Sequence, residues 1–97
     1  MITRDKIIKC AEAIVNGMNL KKGEAVLIRG GVHAQELLEE IGILCYKKGA
    51  QPMIMAVSDI YMARVYNEIP TETLEVTPKH YLAAVKEADG IYCRRAI

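Results

Sequence analysis

The sequence contains no tryptophan and no phenylalanine, and its 13 basic residues nearly balance 12 acidic ones, for a formal net charge of +1. The basic residues include the isolated pairs Lys21-Lys22, Lys47-Lys48 and Arg94-Arg95, and they form no stripe interleaved with aromatics. A nucleic-acid binder needs a stacking platform or an electrostatic footprint, and neither is present, so no nucleic-acid partner is expected. Long apolar runs are missing as well. No stretch approaches the roughly 18 residues that span a bilayer. The charged opening Met1-Ile2-Thr3-Arg4-Asp5-Lys6 sits where a secretory signal needs an apolar core of about 7 to 15 residues. No membrane association is expected. Cysteine is sparse: Cys10, Cys45 and Cys93 are odd in number and far apart, which fits neither a disulfide framework nor a zinc ribbon. A reducing, cytoplasmic setting is the default expectation.

What is present is an ordinary globular composition, 97 residues with 52% hydrophobic and 26% charged. That length supports one core and one domain. A domain so small buries only about two thirds of the surface its unfolded chain exposes.

The organising stretch is Ala25 to Val57. Ala25-Val26-Leu27-Ile28-Arg29 reads as a short buried strand ended by Gly30-Gly31. An amphipathic helix follows from about Val32 to Lys48, with Ala34, Leu37, Leu38, Ile41, Cys45 and Leu44 turned inward and Ile43 outward. Gly49 stops it, and Met53 to Val57 forms a second buried strand. This is a βαβ unit. Because the apolar strand residues are consecutive, both sheet faces should be covered, as in a parallel sheet flanked by helices. Glu36, Glu39 and Glu40 precede Lys47-Lys48 along the helix, the order that suits the macrodipole. Gly42 inside the helix costs about 1 kcal/mol against Ala and suggests a close helix contact.

The flanking segments wrap this unit. Thr3 or Asp5 caps a first helix whose apolar stripe is Ile7, Ile8, Ala11, Ile14, Val15 and Met18, with Gly17 as its left-handed stop. Ser58-Asp59 caps a short helix from Ile60 to Asn67, Pro70-Thr71 breaks it, and Thr71 to Leu74 adds a turn. Thr77 as cap with Pro78 at the first helical position starts a last helix that runs to Asp89-Gly90. Ile91-Tyr92-Cys93 is a third strand, continued by Arg94-Arg95-Ala96-Ile97. The expected fold is a three-layer, Rossmann-like α/β domain: a small parallel sheet of three strands, order 2-1-3 or 1-2-3, helices on both faces and right-handed crossovers. An edge left open after the third strand leads to the expectation of a fragment.

Ligands in open α/β sheets sit at the carboxyl ends of the strands. The residues there are Gly30, Gly31 and His33 after the first strand and Ser58 and Asp59 after the second. Gly30-Gly31 before a helix resembles an anion-binding loop, but the full G-x-G-x-x-G fingerprint is absent, and a tight strand-to-helix turn explains the pair without a ligand. Helix capping accounts for Ser58 and Asp59. His33 and Glu36, at i, i+3, share a helix face but have no further ligands in view, so no metal site is expected. Glu39-Glu40 diverge by about 100° and read as solvated, not as an acid/base pair. Met53 and Met55 read as core filler. No catalytic residue is expected in this chain.

Lys22-Gly23-Glu24-Ala25-Val26-Leu27-Ile28-Arg29, Tyr46-Lys47-Lys48-Gly49-Ala50, Ser58-Asp59 with Arg64, Leu74-Glu75-Val76-Thr77-Pro78 and Glu87-Ala88-Asp89-Gly90-Ile91 follow one another in a recognisable order. Together with Ala13 to Leu20 they resemble the amino-terminal domain of the thermophilic aminopeptidase (aminopeptidase T type, leucyl aminopeptidase) family of metallopeptidases. The likeness covers nearly the whole chain and rests on joint spacing more than on any one motif. It implies a two-domain exopeptidase that removes amino-terminal residues from peptides with two divalent metals, zinc or cobalt, whose carboxylate and histidine ligands lie on a carboxy-terminal domain. Residues 1–97 would then be a non-catalytic domain that walls the substrate cleft and helps bring subunits together, the peptide being held through the other domain. Two further readings stand beside this one: a module binding a small molecule or anion at the Gly30, His33, Ser58, Asp59 end, and a dimerisation unit using the open sheet edge or the Ile43 face.

Overall fold

The run of apolar residues from Val26 to Ile28 lies at the centre of a three-stranded parallel sheet. A computed structural model describes residues 3–93. Its elements are helix α1 (Arg4–Met18), strand β1 (Ala25–Gly31), helix α2 (Gln35–Lys47), strand β2 (Gln51–Val57), helices α3 (Asp59–Glu68), α4 (Thr71–Leu74) and α5 (Lys79–Glu87), and strand β3 (Gly90–Cys93). A 3-10 turn over Val32–Ala34 joins β1 to α2. The expected continuation over Arg94 to Ile97 lies outside the described residues.

The sheet order is β2-β1-β3, with both pairings parallel, which decides between the two orders open from sequence. After β2 the chain crosses back over β1, so the direction of travel reverses there. Right-handed crossovers then require α2 and the α3–α5 segment to lie on opposite faces. Side-chain alternation fits this. Val26 and Ile28 join Ala11 and Val15 of α1 and Leu37, Leu38, Ile41 and Cys45 of α2 in the main core, with Ala56 and Tyr92 packed against it. The alternate row, Leu27 and Arg29, faces α5. Burying each large aliphatic side chain of the core stabilises the fold by about 1.5–3 kcal/mol.

The second face is thinly covered. Leu27 is 2% exposed, whereas Met53 on β2 and Ile91 on β3 are 49% and 47% exposed. None of α3, α4 and α5 has a buried residue. Coverage of both faces therefore holds for the central strand and fails for the outer ones, and Met53 is not core filler. The result is a slab of 41 × 35 × 15 Å with a radius of gyration of 14.9 Å, larger than the roughly 13 Å of a compact hundred-residue domain.

Several boundaries differ from those read in the sequence. Helix α1 is capped by Thr3, whose hydroxyl accepts from the Lys6 N–H at 3.3 Å. It runs through Gly17 and ends at Asn19, in the left-handed conformation at φ 51°. Asn enters that region because its short polar side chain can bond locally. Gly30 and Gly31 lie inside β1, paired with Ala56 and Val57, and so extend the strand they were expected to end. Pro78, with ψ 132°, occupies the cap position of α5 itself, and Lys79 is the first helical residue, so Thr77 stands one residue too early to cap. Gly42 allows close approach to a strand, not a helix: a Cβ there would meet Ile54 Cδ1 at 3.3 Å. Glu40 is not free in solvent, being half-buried and paired with Arg4.

Candidate functional site

The parallel register brings the strand ends named above to one edge of the sheet. Gly31 pairs with Val57, so Ser58 and Asp59 leave β2 at the level where Val32 and His33 leave β1. The Ser58 hydroxyl accepts from the Tyr61 N–H at 3.1 Å and is the N-cap of α3; Asp59 follows in its first turn, exposed. His33 is exposed, and its imidazole lies over Gly31, with Cε1 and Nδ1 both 2.6 Å from where a Cβ on that residue would be. Gly31 therefore leaves room for the ring. The backbone of Gly30 and Gly31 lies in the sheet, and the following 3-10 turn is only three residues long.

His33 and Glu36 also border a cleft of about 440 Å³ between the starts of α1 and α2, with Lys6, Ile7, Cys10 and Leu37. Glu36 is already engaged, accepting from Arg4 Nη1 at 2.6 Å, and Glu40 accepts from Nη2 of the same guanidinium. The hydrogen bond that Arg4 donates to Glu36 is the main cause that raises the Arg4 pKa, helped by the charge of Glu40. Among the described residues no three His, Cys, Asp or Glu side chains converge to hold a metal ion. The described residues thus do not supply the several converging carboxylates and imidazoles that a two-metal centre needs.

At the same carboxyl edge, on the second face, lies a pair that the sequence did not single out. Arg29, half-buried in the central strand, donates from Nη1 to the Tyr81 hydroxyl at 2.7 Å, and its Cζ lies 4.7 Å from the centroid of the Tyr81 ring. Its strand neighbours are Met55 and Cys93. The signal available in sequence was a lone arginine closing an aliphatic strand, but nothing local links it to Tyr81.

The opposite, amino-terminal edge holds the Lys22-Gly23-Glu24, Gly49-Ala50 and Asp89-Gly90 parts of the pattern behind the resemblance. Gly23 N–H donates to Gly49 O at 2.8 Å and Gln51 N–H to Glu24 O at 2.8 Å, clasping the entries of β1 and β2. Asp89 ties β3 to β1 twice: its carboxylate accepts from the Ala25 N–H at 2.9 Å, and its own N–H donates to Ala25 O at 2.8 Å. Gly23 and Gly49 have φ of 86° and 82°, where a side chain would strain the turn. Arg64, also in that pattern, forms an exposed pair with Glu68 at 2.6 Å, and this hydrogen bond holds the Glu68 carboxyl below its usual range. Gly23, Glu24, Gly49 and Asp89 thus serve turns and strand entry.

No helix of the described residues is long and apolar enough to cross a membrane. The family model of the thermophilic metalloprotease (M29) matches residues 3–91. No curated protein sequence matches the chain.

Proposed function

The chain belongs to the thermophilic metalloprotease (M29) family, and we propose that residues 1–97 serve as the non-catalytic amino-terminal domain of a metal-dependent aminopeptidase. The parent enzyme removes amino-terminal residues from peptides in the cytoplasm with two divalent metals, zinc or cobalt, held by another part of the polypeptide. Metals there would polarise the scissile carbonyl and activate a water. This chain contributes a wall of the substrate cleft and a surface for bringing subunits together.

The observation that carries this reading is the family match over residues 3–91 in a chain whose described residues assemble no three metal-binding side chains. The placement of Gly23, Glu24, Gly49 and Asp89 at turns and strand entries also favours a scaffold over a reactive centre. The test is direct. Pure 97-residue protein with added zinc or cobalt should not hydrolyse leucine p-nitroanilide, and measurable turnover would overturn the proposal. The reading frame downstream of Ile97 should encode the Glu, His and Asp ligands; a stop codon there would equally overturn it.

A further inference from the structure

Three arginines lie among the described residues, and two of them are neutralised: Arg4 by Glu36 and Glu40, and Arg64 by Glu68. Arg29 is the exception. All 12 Asp and Glu side chains are among the described residues, and none forms a salt bridge with it. Its only hydrogen-bond partner among them is the neutral Tyr81 hydroxyl. A half-buried guanidinium has lost part of its hydration, so leaving it without a counter-charge is costly unless another group supplies one.

The geometry around it suits a planar anion. Tyr81 takes one Nη1 proton, and Arg29 Cζ lies over its ring at 4.7 Å from the centroid. The Nε/Nη2 edge remains, a two-donor fork that matches a carboxylate in bidentate fashion. On either side, Met55 and Cys93 bring no charge. Further along the row comes Gly31, with the exposed His33 ring over it. The location points the same way: the crossovers from β1 and back over it run in opposite directions, and doubly wound sheets bind ligands at the carboxyl edge beside such a reversal.

We infer that Arg29, braced by Tyr81, recognises a carboxylate, and that its ligand is the free carboxyl terminus of a short peptide. The identity of the ligand rests on the aminopeptidase reading; the carboxylate site itself does not. Such a site would favour short substrates, whose terminus lies within reach of the residue being cleaved.

Nitrogen-15-labelled 97-residue chain titrated with acetate and with the tripeptide Leu-Gly-Gly provides the test. Both should shift the Arg29 Nε–H resonance saturably, and the carboxyl-amide of the tripeptide should bind about tenfold more weakly, as expected for loss of one charge-assisted hydrogen bond. R29K should weaken acetate and tripeptide binding by about the same factor, because an ammonium cannot reproduce the fork. The unsubstituted chain keeps the test decisive even if that variant fails to fold. An Arg29 Nε–H that acetate leaves unmoved would overturn the carboxylate site. Equal binding of the free tripeptide and its amide, or tighter binding of N-acetyl-aspartate amide than of Leu-Gly-Gly, would overturn the terminus as ligand. Because these readouts need no turnover, failure of the peptidase assignment and failure of this site remain distinguishable.

Discussion

Gly42 and Cys45 show how single positions in α2 are constrained. A Cβ at Gly42 would sit 3.3 Å from Ile54 Cδ1, but Ile54 lies on an edge strand and is 37% exposed, so its tip can yield. Removing an interior helix glycine gains about 0.5–1 kcal/mol. Gly42→Ala is therefore expected to stabilise the protein by up to about 1 kcal/mol, read as a higher urea midpoint; a lower one would mean that Ile54 cannot move. Cys45 is fully buried, and desolvation pushes its thiol pKa up. It should resist iodoacetamide at neutral pH while the exposed Cys10 reacts. Because the folded value is the higher one, the thiol's contribution is complete below its ordinary pKa and is lost as pH rises through the raised value. Cys45→Ala should accordingly show a shallower alkaline decline in stability than the parent.

At the scale of elements the two faces of the sheet differ. Ile41 in α2 is fully buried in the main core, and Ile41→Ala should cost about 2–5 kcal/mol, enough to abolish the far-ultraviolet helical signal of a domain with so little margin. Gly49 ends the α2 turn at φ 82°, with Lys22 Cγ 3.0 Å from a Cβ position, so Gly49→Ala should destabilise by about 1–2 kcal/mol in urea unfolding. By contrast α3, α4 and α5 bury no residue. Their amides should exchange with solvent faster than those of β1 and α2, by local opening; equal protection would show a cooperativity that the packing does not supply. Helix α2 was legible because its apolar positions recur at i, i+3, i+4 and so forecast the buried face. The end of α1 was not: Gly17 offered a stop, but the helix continued through it to Met18, and Asn19 took the left-handed cap.

For the molecule as a whole, the slab shape leaves Met53, Ile60, Tyr61, Leu82 and Ile91 exposed on and around the second face and the β3 edge. Pure chain in native buffer should enhance the fluorescence of the dye ANS, as exposed apolar patches do; an absence of enhancement would mean that this surface is covered in solution. A scaffold whose apolar surface continues beyond its own core is suited to packing against further polypeptide, in keeping with the proposed role beside a catalytic domain.

The sequence by itself determined the βαβ unit, the parallel α/β class and the family, because apolar period, turn glycines and strand runs are local patterns that survive without knowledge of contacts. It also brought Gly30, Gly31, His33, Ser58 and Asp59 forward together, since all lie at strand ends. Tertiary structure decided what no local pattern encodes. The choice of β2-β1-β3 depends on which side of β1 the second crossover lands, and the pairing of Arg29 with Tyr81 bridges two elements far apart in the chain. The incomplete cover over Met53 and Ile91 likewise follows from how short helices settle on a twisted sheet, a non-local balance of packing.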